Sequence, residues 1–303
     1  MRLEAFFLAQ TLWVLGANAS TCSPPGDGLP IEQNITMPNF MVGSNRYGAP
    51  PAYYDSCNGT KPIIFLHGLC STRNADLNIL QWNLTDAGRC TFSQTYGAYP
   101  IVPWVGGMQS MNESAKDIAD WIRHVLSKTG AAKVDIIGHS EGAVQALYVP
   151  LTQPGISDIV DNIVALAPAI HGAQYHGFTD FLYIGDEGSQ QVGKAVHDSL
   201  GCPACDDLMT GGEVANKFQE SAGKIVQPGN KVTIISSKAD KLVSPDASRI
   251  DENGVKNIVV QDTCPDDQVG HVGLAYDKGV RRMIYNALLE KNDTVYCDTG
   301  LNF

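Results

Sequence analysis

The sequence predicts an α/β fold, a mostly parallel sheet with helices on both faces. Short apolar runs typical of buried strands alternate with stretches of helical periodicity, and no clear linker interrupts the alternation. A serine between glycines, Ser140, directly follows one apolar run and precedes a helix-compatible stretch. We therefore expect one domain over residues 20–303.

Residues 1–19 have the pattern of a secretory signal peptide. Arg2 supplies a positive charge, residues 5–16 are mostly apolar, and residues 17–19 read A-N-A, as at a cleavage site. A membrane anchor is the alternative, but this apolar span is shorter than the roughly 20 residues that cross a bilayer. We expect a secreted, extracellular protein.

Cysteine usage and charge agree with secretion. All eight cysteines follow residue 19, which indicates up to four disulfides whose pairing the sequence does not fix. The C-x-x-C motif of Cys202 and Cys205 favours a short-range disulfide over redox or zinc chemistry, because no second such motif accompanies it. The net charge of −11 disfavours nucleic acid as a partner. N-glycosylation sequons, which could equally be unmodified turns, begin at Asn34, Asn58, Asn83, Asn112 and Asn292.

The first half of the chain opens with an irregular segment rich in Pro, Gly and Asn at residues 20–52. Ser110 is then the predicted N-cap of a long helix that Gly130 ends. The other predicted elements before residue 133 are a strand at 63–66, a helix at 74–87, a strand at 91–96 and a loop at 100–111.

The stretch from 133 to 142 contains the motif G-x-S-x-G. An apolar strand at 134–137 leads into it and a helix follows at 143–149. Gly138 and Gly142 let strand and helix pack closely, so Ser140 is expected at the tip of a strained turn with its hydroxyl exposed. We interpret Ser140 as a nucleophile; the alternative is a Gly-rich turn with an ordinary serine.

The second half repeats the strand pattern around a long irregular region. That region, about 171–230, is the predicted cap or lid; a structural insertion without gating is the alternative. The remaining elements are strands at 162–167, 231–236 and 255–261, a loop at 262–273 and a helix at 274–289.

The order of residues along the chain selects the partners of Ser140. A serine needs a base, and the base needs an orienting carboxylate, in the order Ser, acid, His on this type of sheet. Of the seven histidines, only His271 lies beyond the last strand-plus-acid unit, whereas His139 is expected to shape the turn. Asp240 is the preferred acid because it directly follows a strand; Asp246 is its main competitor.

Acyl transfer also requires two N–H donors for the developing oxyanion. We expect one from the backbone of Glu141 and the other from Leu69, with Gly68 permitting close approach; an ordinary turn is the alternative. The carboxylate of Glu141 suggests the hypothesis that the site disfavours anionic substrates.

Six segments form a distinctive set: residues 62–68, 129–140, 166–168 with 171–172, 202–205, Asp240 and 261–277. Together they resemble the class 2 triacylglycerol lipases of the α/β-hydrolase superfamily. The resemblance implies an α/β-hydrolase fold with a cap, secretion, and Ser140, Asp240 and His271 as the triad. It also implies disulfides Cys57–Cys90, Cys202–Cys205 and Cys264–Cys297, and leaves Cys22 and Cys70 available to each other.

The chain departs from this family in two places. Members usually carry Gln where Glu141 stands, and small or polar residues where Leu69 and Cys70 follow the His-Gly pair. Both departures are expected at the mouth of the acyl pocket, which leaves the substrate open.

The resulting prediction is a secreted serine esterase or lipase that hydrolyses acylglycerols or other neutral carboxylic esters through an acyl-enzyme. An acyltransferase, a specialised-metabolite esterase, and a non-catalytic binding protein on the same fold are the alternatives. No metal, cofactor or obligate protein partner is implied; the expected partner is a small-molecule or lipid ester, with contact to a lipid interface.

Overall fold

A computed structural model describes residues 57, 59–101, 103, 105–172, 199 and 201–300. The predicted signal peptide, the irregular segment at 20–52, Cys22 and the middle of the predicted cap lie outside the described residues. The boundaries of the single domain and of the cap therefore stay predictions.

The described strands form one sheet in which all neighbouring strands are parallel, in the order β2-β1-β3-β4-β5-β6. This confirms the predicted fold class. The strands are β1 Ile63–Leu66, β2 Thr91–Ser93, β3 Val134–His139, β4 Val160–Leu166, β5 Lys231–Ser236 and β6 Val255–Val259.

The helices lie on the two faces of this sheet. Helices α2 and α3 pack against each other, whereas side chains of α1 and α9, including Leu80 and Ile284, line one small cavity. Right-handed crossovers require this split, because the chain moves from β1 to β2 in one direction and returns past β1 to β3 in the other. The helices are α1 Asn78–Asp86, α2 Met111–Thr129, α3 Glu141–Thr152, α4 Ile156–Ile159, α5 Pro203–Leu208, α6 Glu213–Glu220, α7 Pro245–Ser248, α8 Val260–Thr263 and α9 Lys278–Leu289, with a 3-10 turn at Val272–Ala275.

Helix α2 has the ends that the sequence predicts. The hydroxyl of Ser110 accepts a hydrogen bond from the N–H of Asn112, and Gly130 ends the helix at a φ of 68°. A left-handed residue after the last turn is the common helix stop that glycine adopts without strain. The buried stripe of α2, which includes Ile118 and Ile122, faces the core.

Several boundaries differ from the prediction, among them the start of the last helix, which lies at Lys278 rather than 274. Helix α1 begins at Asn78 rather than 74, because the N–H groups of Asn74 and Ala75 bond to the hydroxyl and carbonyl of Thr72 in a local turn. Strand β2 ends at Ser93 rather than 96, since the N–H of Tyr96 bonds to a side chain instead of a strand. Strand β6 ends at Val259, and helix α8 follows at once.

The three disulfides that the family resemblance implies are present: Cys57–Cys90, Cys202–Cys205 and Cys264–Cys297. Cys70 has no disulfide partner among the described residues. In the described part of the chain, no helix combines the length and the apolar character that a membrane span requires.

Candidate active site

Ser140 stands on a sharp turn between β3 and α3. Its backbone has φ 54° and ψ −120°, a conformation that is strained for a residue with a side chain. A Cβ atom at Gly138 would collide with the carbonyl of Gly142, and one at Gly142 would collide with the carbonyl of Leu66. Glycine is therefore required at both flanks, and the turn presents the hydroxyl at the carboxyl end of the sheet.

The structure brings Ser140, His271 and Asp240 together. His271 Nε2 lies 2.9 Å from Ser140 Oγ, and His271 Nδ1 lies 2.7 Å from Asp240 Oδ2. The side chains of His271 and Asp240 are 3% and 0% exposed, so water competes little for these bonds. Asp246, the competing acid, is exposed on α7.

Two backbone donors orient the Asp240 carboxylate. Its Oδ1 accepts hydrogen bonds from the N–H groups of Leu242 and Val243, at 2.8 Å and 2.9 Å. The other oxygen accepts from Nδ1–H of His271, so Nε2 is the nitrogen that accepts the proton of the serine hydroxyl. This is the arrangement of a serine activated by a general base.

The turn after β1 lies directly against the serine. A Cβ atom on Gly68 would be 3.2 Å from the Cβ of Ser140. The N–H of Gly68 is already bound to Asp76 Oδ2 at 2.6 Å. The N–H groups of Leu69 and Glu141, in contrast, have no hydrogen-bond partner among the described residues, so both are available to a ligand oxygen.

His67 and Tyr96 hold this turn in place by ring stacking and hydrogen bonds to its backbone. Their rings stack with centroids 4.4 Å apart, and the hydroxyl of Tyr96 donates to the carbonyl of His67 at 2.6 Å. His67 Nδ1–H donates to the carbonyl of Gly68 at 2.8 Å, while its Nε2 accepts from the N–H of Tyr96. Burial lowers the pKa of His67 to about 4, so its imidazole is neutral and both nitrogens keep these roles.

The Glu141 side chain points into the protein, which corrects its expected place at the mouth of the acyl pocket. Glu141 is 1% exposed, and its Oε2 lies 3.3 Å from the hydroxyl of Tyr96 and against the backbone of Gly107. Burial raises the pKa of Glu141 to about 8. A group in this position does not face the substrate, so the hypothesis of repulsion against anionic esters loses its basis.

A second Asp–His pair, which sequence reasoning missed, lies beside the first. His139 Nδ1 is 2.9 Å from Asp76 Oδ1, and His139 Nε2–H donates to the backbone carbonyl of His271 at 3.0 Å. Burial disfavours the charge on each group, but their mutual attraction and hydrogen bond outweigh burial. The pKa of His139 therefore lies above its ordinary value and that of Asp76 below it. Through Asp76 the pair also holds Gly68.

Comparison with known proteins places this site in a family. The family model described as lipase (class 2) matches residues 60–279. The triacylglycerol lipase of Pseudarthrobacter phenanthrenivorans is 28% identical over 120 residues, which cover 39% of this chain and 35% of that protein. Lipase 3 of Drosophila melanogaster is 28% identical over 163 residues, 48% of this chain and 41% of that protein. The chain thus matches well under half the length of these curated relatives.

Solved structures share the fold at low sequence identity. Lipase B of Aspergillus fumigatus superposes with a TM-score of 0.62 at 16% identity, covering 94% of this chain and 68% of that one. Carboxylesterase CesB of Bacillus subtilis gives a TM-score of 0.52 at 14% identity, covering 95% and 98%. These likenesses confirm the α/β-hydrolase fold that the sequence predicts.

Proposed function

The chain belongs to the class 2 lipase family, and on that premise we propose that it is a serine hydrolase that cleaves carboxylic esters, either acylglycerols or other neutral esters. One observation carries the proposal: the continuous hydrogen-bonded series from Ser140 through His271 to Asp240. Family membership supports an ester substrate, and the geometry supports the means of attack.

In the proposed reaction, Ser140 Oγ attacks the ester carbonyl while His271 Nε2 takes the hydroxyl proton. Asp240 holds the imidazole by its Nδ1–H and stabilises the positive charge that forms on it. The oxyanion of the tetrahedral intermediate accepts hydrogen bonds from the N–H groups of Leu69 and Glu141. One lost donor of this kind typically costs about 10²–10³ in kcat.

The intermediate then collapses to an acyl-enzyme. His271 gives its proton to the leaving alcohol, and the C–O bond to that alcohol breaks. Water enters, loses a proton to His271 and attacks the acyl carbon, which releases the carboxylic acid and restores Ser140. Each proton passes through the same nitrogen, Nε2, because the other nitrogen stays bound to Asp240.

We also propose that the protein is secreted and glycosylated. The three disulfides favour an oxidising compartment. Among the sequons on described residues, Asn292 is exposed, whereas the side-chain amides of Asn83 and Asn112 are half-buried and make hydrogen bonds within the protein. Asn292 is therefore the most accessible of these three.

The direct test is Ser140→Ala assayed on p-nitrophenyl esters of increasing acyl length, with and without a lipid interface. We expect kcat to fall by about 10⁶, as in other serine hydrolases without their nucleophile, while circular dichroism stays unchanged. Ser127→Ala, on the exposed side of α2, is the matched control and keeps full activity. Retained turnover by Ser140→Ala, or no labelling of the wild type by a fluorophosphonate, would contradict the proposal.

A further inference from the structure

We propose that Glu141 acts as an uncharged carboxylic acid that positions the oxyanion loop, residues 67–71, and that its ionisation at alkaline pH lowers turnover. This inference rests on the proposed function, because the loop matters only if Leu69 binds an oxyanion. It assigns to the Glu141 side chain a role separate from that of its backbone N–H.

Counting protons around Tyr96 indicates the state of Glu141. The Tyr96 hydroxyl carries one proton, and its 2.6 Å bond to the carbonyl of His67 uses that proton. The longer contact, 3.3 Å to Glu141 Oε2, then joins two oxygens. With the Tyr96 proton directed at His67, the acid form of Glu141 supplies a hydrogen of its own to this contact, and the distances fit that form.

The surroundings of Glu141 offer no charge that would favour its ionised form. The titratable groups facing it are Tyr96 after β2, Cys70 on the oxyanion loop and Asp207 on α5. Tyr96 and Cys70 are neutral, since burial raises both their pKa values, and Asp207 repels a second negative charge. The interactions that favour the carboxylate come from the uncharged side chains of Gln145 and Tyr96, and burial outweighs both, so the pKa of Glu141 is raised.

The acid form connects to the oxyanion donor through a short series of bonds. In the proposed acid form Glu141 donates to the Tyr96 hydroxyl, which donates to the carbonyl of His67 at 2.6 Å. The peptide of His67 leads through Gly68 to the N–H of Leu69. The carboxyl group also lies against Gly107, whose Cα is close to the backbone of Gly68 and Leu69. The Glu141 side chain thus contacts the oxyanion loop in two ways, through Tyr96 and through Gly107.

Ionisation reverses the direction of this series. A carboxylate can only accept, so the Tyr96 hydroxyl turns toward it and releases the carbonyl of His67. The peptide before Gly68 then loses its donor, and the N–H of Leu69 shifts from the position where it meets the oxyanion. Small shifts of such a donor are costly because stabilisation of the oxyanion depends on fixed geometry.

The first experiment compares kcat at pH 7 and pH 9.5 on a neutral p-nitrophenyl ester, corrected for spontaneous hydrolysis. For the wild type we expect a reversible fall of roughly tenfold or more, centred near the pKa of about 8 of Glu141. Glu141→Gln, which donates from an amide at every pH, abolishes this fall; Glu220→Gln, at the exposed end of α6, reproduces the wild-type curve. An unchanged fall in Glu141→Gln would overturn the inference.

A second variant covers the case in which Glu141→Gln folds poorly. Tyr96→Phe removes the hydroxyl that links Glu141 to His67, so kcat is lowered already at pH 7. Ionisation of Glu141 then has no hydroxyl to turn away from the His67 carbonyl, and the alkaline fall of kcat becomes smaller. Wild-type kcat at pH 7 and an unchanged alkaline fall in Tyr96→Phe would also overturn the inference.

A readout that needs no substrate separates this inference from the proposed function. Folding raises the pKa of Glu141 from its ordinary value of 4.5 to about 8. The contribution of Glu141 to the stability of the fold is therefore fully present below pH 4.5 and is lost as the pH rises through about 8. The Tm of Glu141→Gln relative to wild type should therefore rise between pH 4.5 and pH 9. A constant difference means that Glu141 is already ionised and refutes the inference. If the difference rises but no ester is cleaved, the proposed function fails, and with it the role in turnover.

Discussion

Two buried Asp–His pairs lie side by side in this protein, with the rings of His139 and His271 centred 5.0 Å apart. Both histidines bind a carboxylate through Nδ1, at 2.9 Å to Asp76 and 2.7 Å to Asp240. They differ in the partner of Nε2: His271 faces the hydroxyl of Ser140, whereas His139 faces a backbone carbonyl. A hydroxyl can donate a proton and a carbonyl cannot.

That difference assigns opposite tasks to the same pair of side chains. An imidazole whose Nε2 meets a hydroxyl can stay neutral and accept a proton, as a general base must. An imidazole that meets an acceptor at both nitrogens satisfies both only as the cation, and its raised pKa agrees with that state. The His139 cation and Asp76 then hold two loops together, one at Gly68 and the other at the carbonyl of His271.

Breaking the first pair is expected to have the largest effect on activity. Asp240→Asn keeps the shape of the side chain but removes the charge that fixes the His271 tautomer. We expect kcat to fall by about 10⁴, as in other triads with this change. Steady-state kinetics on a p-nitrophenyl ester measures it. A fall of less than tenfold would mean that another carboxylate orients His271.

Breaking the second pair should instead act mainly on stability. Asp76→Asn leaves the His139 cation without its counter-ion in a buried position, and loss of one partner of such a pair typically costs about 3–5 kcal/mol. Chemical denaturation measures the free energy of unfolding, with the exposed Asp246→Asn as control, expected within about 0.5 kcal/mol of wild type. A 10⁴-fold loss of kcat at unchanged stability would contradict the distinction between the pairs.

The pH dependence of stability sharpens the comparison further. Folding lowers the pKa of Asp76, so its contribution to stability is present above its ordinary pKa of 3.8 and is lost as the pH falls. Folding raises the pKa of His139, so its contribution to stability is present below its ordinary pKa of 6.5 and is lost as the pH rises. The free energy of unfolding of the wild type should thus exceed that of the double variant Asp76→Asn, His139→Gln by the largest amount between pH 3.8 and 6.5. Urea midpoints at pH 3, 5 and 8 test this; a gap largest at pH 8 would contradict it.

The smallest expected effect concerns the link between the two loops. The Tyr276 hydroxyl donates to the carbonyl of Ala75. Tyr276 lies five residues after His271, and Ala75 directly precedes Asp76. Tyr276→Phe should lower the free energy of unfolding by about 1 kcal/mol, the net value of one hydrogen bond, and lower kcat by less than the Asp76 variant. Tyr285→Phe, on α9, is the matched control. Equal losses in both variants would argue against a specific link.

The sequence predicted the parts of this fold that depend on local patterns. All six strands and both ends of α2 follow from apolar runs and from capping residues such as Ser110 and Gly130. Ser140, Asp240 and His271 could be placed near each other because parallel strands bring their carboxyl ends to one edge. Their catalytic roles stay predictions.

The remaining features depend on contacts between distant segments. Asp76 lies in a stretch that reads as helix, and its partner His139 is 63 residues away, so no spacing rule connects them. The direction of the Glu141 side chain is set by Tyr96 and Gly107, which belong to a loop 34 or more residues earlier. Neither contact has a periodic signal along the chain.

The Cys264–Cys297 bond has a practical consequence for making this protein. His271 lies on the stretch of chain between the two cysteines, together with the whole of α9. Closing a ring of this size is worth about 4 kcal/mol, so oxidation state bears directly on the segment that carries the imidazole. Protein produced in a reducing cytosol would retain the glycine-flanked turn at Ser140 but would lack the disulfide that encloses the His271 segment. Active protein should therefore be produced by secretion into an oxidising compartment or by oxidative refolding.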